Sequence, residues 1–144
     1  MAIVADSGGI YGLYDRADSA HTALRAAIEH DPDEIVISSV SLGEIDYLLR
    51  ARLGNRALLQ FLADIESSAF RVEPITSADL AYCERLLRKY ADLDLGLCDA
   101  AVIATADRLG TNRILTVDER DFRVMRTLRG KPFRLLPADL KRKH

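Results

Sequence analysis

The segment CDAAVIATADRLGTNRILTVD, residues 98–118, joins a helix pattern to a strand pattern through a short turn. Residues 98–109 are apolar on nearly every side, which predicts a buried helix. Gly110 follows, and glycine is the residue type that most often ends a helix. Arg113–Val117 is rich in β-branched and apolar residues, as is typical of a strand covered on both faces. The segment therefore predicts one helix–strand unit of an α/β fold.

The rest of the chain repeats this alternation of short strand patterns and longer helix patterns. Strands are predicted at 2–5, 35–37, 71–74, 113–117 and 133–136, and helices at 18–30, 41–53, 56–67, 77–90 and 98–109. Residues 7–9 (Ser-Gly-Gly) are interpreted as a turn, and Ser77 as the cap of its helix. The pattern predicts a three-layer α/β/α domain with a central, mostly parallel twisted sheet. We expect residues 1–144 to form a single domain.

Composition excludes several classes of protein. The chain has 144 residues, of which 49% are hydrophobic, so it can bury a core. It has no apolar stretch of about 20 residues and no basic region at the N-terminus, so we expect a cytoplasmic protein without a membrane segment. The two cysteines, Cys83 and Cys98, are interpreted as small core residues. Zinc-ligand spacing, a P-loop and a nucleophile elbow are all absent from the sequence.

The charges are divided unevenly along the chain. The net charge is −2, but residues 120–144 carry +7, so residues 1–119 carry −9. The basic residues of this C-terminal segment are Arg120, Arg123, Arg126, Arg129, Lys131, Arg134, Lys141, Arg142 and Lys143. Such asymmetry suggests an anionic partner such as a nucleic acid, although a solubilising tail explains it equally well.

Acidic residues follow the predicted strands or begin the helices next to them. Asp6 follows the first strand, Asp99 begins the apolar helix, and Asp118 follows the strand at 113–117. Glu44 lies in the first turn of the helix after the second strand, and Asp121 comes three residues after Asp118. Ligands of parallel sheets gather outside the carboxyl ends of the strands, so we expect these acids to converge there.

Each acid also has a structural interpretation. Glu44 would close a capping box with Ser41, and Asp6 would cap the turn that follows it. Asp118 would be the N-cap of a short helix at 119–122. Asp99 would favour the positive end of its helix dipole.

Taken together, the acids indicate a metal site. Clustered carboxylates raise one another's pKa, and a divalent cation removes that repulsion. Mg²⁺ and Mn²⁺ prefer oxygen ligands, and Mg²⁺ is typically held by one or two carboxylates with substrate phosphates. Such a cluster suits phosphodiester hydrolysis by a metal-activated water.

The sequence resembles the PIN-domain ribonucleases, and among them the VapC-type toxins of bacterial toxin–antitoxin modules. The matching strings are IVADS (3–7), SLGEI (41–45), CDAAVIATA (98–106) and ILTVDERDF (114–122). The resemblance implies a PIN-like fold and a Mg²⁺ or Mn²⁺ site on four acids and one hydroxyl residue: Asp6, Glu44, Asp99, Asp118 and Thr116. It implies that Asp6 and Asp99 are direct ligands, with Glu44 and Asp118 binding metal or orienting its waters. Asp121 would be an auxiliary acid, whereas Asp92 and Asp94 fall in a variable segment.

The resemblance further implies an endoribonuclease that cuts tRNA or rRNA and leaves 5′-phosphate and 3′-hydroxyl ends. It implies a homodimer and a VapB-like antitoxin that covers the site. Candidates for the antitoxin groove are Tyr47, Leu48, Phe61 and Leu62, of which Leu48 and Leu62 are interpreted as core residues. Arg120, Arg123, Arg126 and Arg129 are candidates for contact with RNA phosphates. Tyr11 and Tyr14 are candidates for base stacking, with core or dimer packing as the alternative.

Two other functions fit parts of the pattern. A receiver-type phosphoacceptor domain also has a parallel sheet and clustered aspartates, but it needs an acid pair at the first strand and a lysine after a late strand. Here residues 7–9 follow Asp6, and Lys131 precedes the last strand. A PIN-like module that binds without cleaving is the other alternative, and the presence of all four acids argues against it.

Overall fold

Five short strands form one sheet in the order β3-β2-β1-β4-β5, and every neighbouring pair is parallel. The computed structural model describes residues 1–141. The strands are β1 (Ala2–Ala5), β2 (Glu34–Ser38), β3 (Arg71–Glu73), β4 (Arg113–Leu115) and β5 (Arg134–Leu136). Ala5 lies opposite both Ile37 of β2 and Leu115 of β4, so the three central strands end at the same edge.

Helices cover both faces of this sheet. They are α1 (Ser7–Tyr14), α2 (His21–Glu29), α3 (Leu42–Leu53), α4 (Asn55–Glu66), α5 (Ser77–Lys89), α6 (Leu97–Leu109) and α7 (Glu119–Val124). Ile3 and Ala5 pack with α1 to α4, whereas Val4 packs with α5 and α6, because successive side chains of a strand point to opposite faces. The predicted three-layer α/β/α architecture with a parallel sheet is therefore confirmed.

All the predicted strands and helices are present, with ends displaced by at most three residues. Gly110 ends α6 in the left-handed conformation, as expected. Strand β4 stops at Leu115 rather than Val117. The prediction that Ser77 caps α5 is wrong, because Thr76 accepts a hydrogen bond from the Asp79 N–H while the Asp79 carboxylate accepts one from the Thr76 N–H.

The predicted turn at residues 7–9 is wrong, since helix α1 begins there. Asp6 is its N-cap and accepts a hydrogen bond from the Gly9 N–H at 2.7 Å. A Cβ atom on Gly9 would lie 2.4 Å from the Leu115 carbonyl oxygen. The glycine therefore allows α1 to pack closely against β4, and this brings Asp6 next to the end of that strand.

The predicted capping box between Ser41 and Glu44 is also wrong. Residues Ser39–Ser41 form a 3-10 turn, and the Ser41 side chain makes no capping hydrogen bond to α3. Both side chains are thus available for another role.

The sheet order differs from that of a receiver domain, in which the strands follow the order 2-1-3-4-5. The receiver alternative is therefore not favoured. Within residues 1–141, every helix is too short or too polar to cross a membrane.

Candidate metal and catalytic centre

A cavity of about 180 Å³ lies at the carboxyl ends of the central strands. Its lining brings together the four predicted acids, two serines, a cysteine and three small or apolar residues: Asp6, Glu44, Asp99, Asp118, Ser7, Ser41, Cys98, Gly8, Val102 and Val117. None of these lining residues is a lysine or an arginine. The acids that the sequence places near the ends of separate strands thus share one cavity. No basic side chain in its lining offsets their negative charge.

Asp6 is the most buried of the four acids, with 9% of its surface exposed. Its N–H donates to the Leu115 carbonyl at 3.1 Å, which fixes the backbone at the end of β1. Its carboxylate accepts hydrogen bonds from the Gly9 N–H and from the Thr116 hydroxyl. The expected capping role of Asp6 is confirmed, and it leaves the carboxylate on the cavity wall.

Thr116 connects two of the acids. Its hydroxyl donates to Asp6, and the same oxygen accepts from the Asp118 N–H at 2.9 Å. Thr116 is fully buried and lies just beyond β4. It therefore orients Asp6 and the backbone of Asp118 rather than lining the cavity itself.

The other three acids occupy helix starts. Asp99 is partly buried in the first turn of α6 and accepts from the Gly96 N–H at 3.3 Å, so it also caps that helix. Asp118 stands at the N-cap position of α7, but its side chain makes no capping bond. Glu44 is exposed in the first turn of α3. The first-turn position expected for Asp99 is confirmed, while the capping interpretation leaves the Asp118 and Glu44 carboxylates to the cavity.

Burial and mutual repulsion shift the pKa values of two of these acids. Burial raises the pKa of Asp6 to about 6, against the opposing hydrogen bonds from Thr116 and Gly9, and the charges of Asp99 and Asp118 raise it further. Burial also raises the pKa of Asp99, assisted by Asp118, Glu44 and Asp121. Asp121 acts on this site through its charge, although it does not line the cavity.

The donor set of the cavity fits a hard divalent cation. Apart from the Cys98 thiol, its polar side chains offer carboxylate and hydroxyl oxygens, which Mg²⁺ and Mn²⁺ prefer. The hydroxyl oxygens of Ser7 and Ser41 are buried without a hydrogen-bond partner. Among residues 1–141, no three acidic, cysteine or histidine side chains are already arranged as metal ligands. Mg²⁺ is commonly held by one or two carboxylates and keeps several waters.

Comparison with known proteins identifies the family. The model of the PIN domain matches residues 3–128. The chain belongs to the PIN-domain family. It is 31% identical over 135 residues to ribonuclease VapC26 of Mycobacterium tuberculosis, an alignment that covers 94% of this chain and 100% of that protein. Within the family, the chain is thus of the VapC type.

Two solved structures share the fold. The crystal structure of VapC20 of Mycobacterium tuberculosis, a toxin that cleaves the sarcin–ricin loop, has a TM-score of 0.76 at 24% identity and covers 83% of this chain and 92% of VapC20. A toxin–antitoxin complex from Klebsiella pneumoniae has a TM-score of 0.66 at 19% identity and covers 86% of this chain and 92% of the matched chain.

Sequence reasoning missed three polar side chains of this PIN domain's cavity. Ser7 and Ser41 line it, and so does Cys98, whose interpretation as a core residue is wrong. The Cys98 thiol is partly buried and lies 3.8 Å from the Val40 carbonyl oxygen. Burial, with the charges of Glu44 and Asp99, raises the pKa of this thiol, so it is not an activated nucleophile. Cys83 is buried in the core, as expected.

The arginines of the C-terminal segment are not equivalent. Arg123 forms an ion pair with Asp139 at 2.6 Å and another with Glu119, so its prediction as an RNA contact is not supported. Arg126 donates to three backbone carbonyls at the end of α7. Arg120 and Arg129 are exposed. Residues 142–144, including Arg142 and Lys143, lie outside the described residues.

The aromatic candidates for base stacking belong to the core. Tyr11 is buried and donates its hydroxyl to Asp15. The ring of Tyr14 packs edge-on against Phe61, and its hydroxyl donates to Asp64. The alternative of core packing is therefore confirmed for both tyrosines.

The predicted groove residues of α3 and α4 also differ in burial. Phe61 is fully buried, so its prediction as a groove residue is wrong. Leu62 is 49% exposed, so its interpretation as a core residue is wrong, whereas Leu48 packs partly against the core. Tyr47 is 66% exposed, as the groove prediction requires.

Proposed function

We propose that this protein is a Mg²⁺- or Mn²⁺-dependent endoribonuclease toxin that cleaves structured RNA, either tRNA or rRNA. The observation that carries the proposal is the single cavity lined by Asp6, Glu44, Asp99 and Asp118 without a basic side chain in its lining. The ribonuclease name of VapC26 supports the reaction class, and VapC20 offers a precedent for a looped RNA target. In this proposal Asp6 and Asp99 bind the cation directly.

The proposed mechanism assigns a task to each side chain. A bound divalent cation would polarise the scissile phosphate and acidify a water for in-line attack. Asp6, held by Thr116 and Gly9, offers a ligand oxygen in a fixed position. Glu44 and Asp118 orient the waters, and the longer, exposed Glu44 side chain can adjust to the substrate. Thr116 is a positioning residue, because it acts through Asp6 and the backbone of Asp118.

RNA phosphates need cationic contacts, and we propose that Arg120 and Arg129 provide them. Both are exposed, and Arg120 lies two residues after the cavity residue Asp118. A phosphate contact by arginine contributes to affinity and to its salt dependence without reading the base sequence. Arg123 instead stabilises the C-terminal segment through Asp139.

We also propose that a cognate VapB-like antitoxin binds the exposed apolar side chains of the adjacent helices α3 and α4, Tyr47, Leu59 and Leu62. Tyrosine is among the residues that most often dominate binding energy at interfaces. The matched toxin–antitoxin complex supports such a partner.

Replacing Tyr47 by Arg should weaken binding of the antitoxin by about tenfold or more, because a buried apolar contact becomes a charge. The RNA cleavage rate without antitoxin should stay unchanged, since Tyr47 does not line the cavity. Leu128→Arg is the matched control, because Leu128 is 76% exposed and lies outside α3 and α4. Equal antitoxin affinity in all three proteins, measured by calorimetry, would exclude this surface.

Three further expectations remain proposals. We infer one domain over residues 1–144, since a single sheet joins both apolar clusters of residues 1–141. A homodimer remains a prediction from the family resemblance. A cytoplasmic location follows from the proposed tRNA or rRNA substrate.

The proposed activity is tested by incubating the protein with tRNA and rRNA in Mn²⁺ or Mg²⁺, with and without EDTA. We expect cleavage that EDTA abolishes and excess metal restores. The ends should be 5′-phosphate and 3′-hydroxyl, because in this proposal water attacks the phosphorus and the bond to the ribose 3′-oxygen breaks. Attack by the ribose 2′-hydroxyl would instead expel the 5′-oxygen and form a cyclic phosphate. Full activity in EDTA would contradict the metal mechanism, and no cleavage of any RNA with either metal would favour the inactive binding module.

A further inference from the structure

Two serine hydroxyls at the acidic cavity lack hydrogen-bond partners. Ser7 and Ser41 are 3% and 0% exposed, and both line the cavity. In the part of the chain that the structure describes, their Oγ atoms are the two buried side-chain polar atoms without a partner. A buried hydroxyl without a partner costs free energy, so such groups are rare in folded proteins and indicate a missing ligand, ion or water.

Neighbouring hydroxyls in the same region are satisfied, so the feature is local. Ser38 accepts from the Val40 N–H, Ser39 accepts from the Ile75 N–H, and Thr116 has two partners. Helical serines commonly bond to nearby backbone groups, and Ser7 and Ser41 do not.

Each unpartnered serine stands beside a proposed metal-site acid. Ser7 follows Asp6 at the start of α1, and Ser41 precedes Glu44 by three residues. The two pairs come from separate elements, and both line this cavity. A serine hydroxyl can turn by rotation about a single side-chain bond. Both oxygens can therefore form hydrogen bonds with a group bound in the cavity.

We propose that Ser7 and Ser41 are positioning residues that accept hydrogen bonds from water molecules of the hydrated divalent cation. This inference rests on the proposed function. A water bound to a cation donates both of its protons and therefore needs acceptors, and Mg²⁺ keeps several such waters. A phosphate oxygen is a poorer occupant of these positions, because the adjacent Asp6 and Glu44 carboxylates repel it unless a cation lies between them.

The test compares wild type, Ser7→Ala and Ser41→Ala by Mn²⁺ calorimetry and by urea unfolding in EDTA. Removing a group that orients a metal ligand typically weakens metal binding 10- to 100-fold. We therefore expect Kd for Mn²⁺ to rise about 10-fold in each variant. Without metal, each variant should be as stable as wild type or more stable, because alanine removes a buried hydroxyl that has no partner. Each variant should thus bind Mn²⁺ more weakly while its stability without metal is unchanged or higher. A serine with a purely structural role would not produce this combination.

Ser67→Ala is the matched control, because its exposed hydroxyl donates to the Asp64 carbonyl at the end of α4, outside the cavity. Its Mn²⁺ affinity should equal that of wild type. If Ser7→Ala and Ser41→Ala also bind Mn²⁺ like wild type, the inference is overturned while the proposed metal site stands. Lower stability with unchanged Mn²⁺ affinity would also overturn it, since the hydroxyls would then hold a structural water. If wild type binds no Mn²⁺, the proposed metal site fails and the inference falls with it.

Discussion

Replacing Asp99 by Asn should lower the rate of RNA cleavage by at least about 100-fold while the protein stays folded. Asn has nearly the same size, but it lacks the negative charge with which Asp99 would bind the cation. Loss of one oriented group around a metal already costs 10- to 100-fold, so loss of a direct ligand should cost the upper value or more. The measurement is single-turnover cleavage in saturating Mn²⁺.

The fold should tolerate this change for two reasons. The amide oxygen of Asn can still accept the Gly96 N–H that caps α6. The pKa of Asp99 is raised by burial and by neighbouring carboxylates, so a neutral side chain relieves repulsion there. The free energy of unfolding, measured with urea in EDTA, should therefore be equal to that of wild type or higher.

Asp94→Asn is the matched control for charge. Asp94 lies upstream of α6, outside the cavity, and has a left-handed backbone with φ of 52°, which Asn tolerates well. Its cleavage rate should match that of wild type. Equal rates in Asp99→Asn and Asp94→Asn would remove Asp99 from the catalytic site.

The sequence predicts an element correctly where its local conformational propensity agrees with the way the element packs in the fold. The segment 98–118 predicts a buried helix, its terminal glycine and the following strand, and all three are present because each depends on local pattern. The acids at the strand ends follow from topology, since parallel strands bring their carboxyl ends to one edge. Their assembly in one cavity could therefore be anticipated without coordinates.

Features that depend on tertiary packing were not predictable in this way. Ser7 and Gly9 have turn propensity, but Asp6 caps a helix there, and the missing Cβ of Gly9 lets that helix approach Leu115. The direction of the Ser41 and Cys98 side chains depends on how α3 and α6 pack against the sheet.

Pairings between distant residues were equally hidden. Arg123 belongs to a basic segment, yet it is bound to Asp139, 16 residues further on. Tyr14 pairs with Asp64, 50 residues away, which removes it from the RNA-binding candidates. Composition therefore indicates a cationic segment, and only contacts distinguish its exposed arginines from its structural ones.

Burial of Asp6 should make the metal-free protein lose stability between pH 4 and pH 6. Burial raises the pKa of Asp6 from 3.8 to about 6, so the folded state holds this proton more tightly than the unfolded state does. The stabilisation is complete below about pH 4 and is lost as the pH rises through about 6, where the folded protein must ionise a buried carboxyl. The pKa difference corresponds to about 3 kcal/mol.

Carboxyl groups with lowered pKa values titrate just below this range with the opposite sign, so the effect of Asp6 must be isolated by difference. The pKa of Asp31 is lowered by its ion pair with Arg113, and stability from that pair is lost as the pH falls. Subtracting the unfolding free energy of Asp6→Asn from that of wild type at each pH in EDTA removes these common contributions. The difference should fall by about 3 kcal/mol in total from about pH 3 to about pH 7, with about 2 kcal/mol of the fall between pH 4 and pH 6, and stay constant above that range.

The same measurement in saturating Mn²⁺ links the buried charge to the proposed site. A cation that binds only the folded protein and prefers ionised Asp6 lowers the pKa of that carboxyl in the complex. The fall of wild-type stability between pH 4 and pH 6 should then shrink or reverse, whereas Asp6→Asn should respond little to Mn²⁺. A difference curve without pH dependence in EDTA would mean that Asp6 ionises in the folded protein as freely as in water. In that case burial would not outweigh the hydrogen bonds from Thr116 and Gly9, and the expected rise of the Asp6 pKa would be wrong.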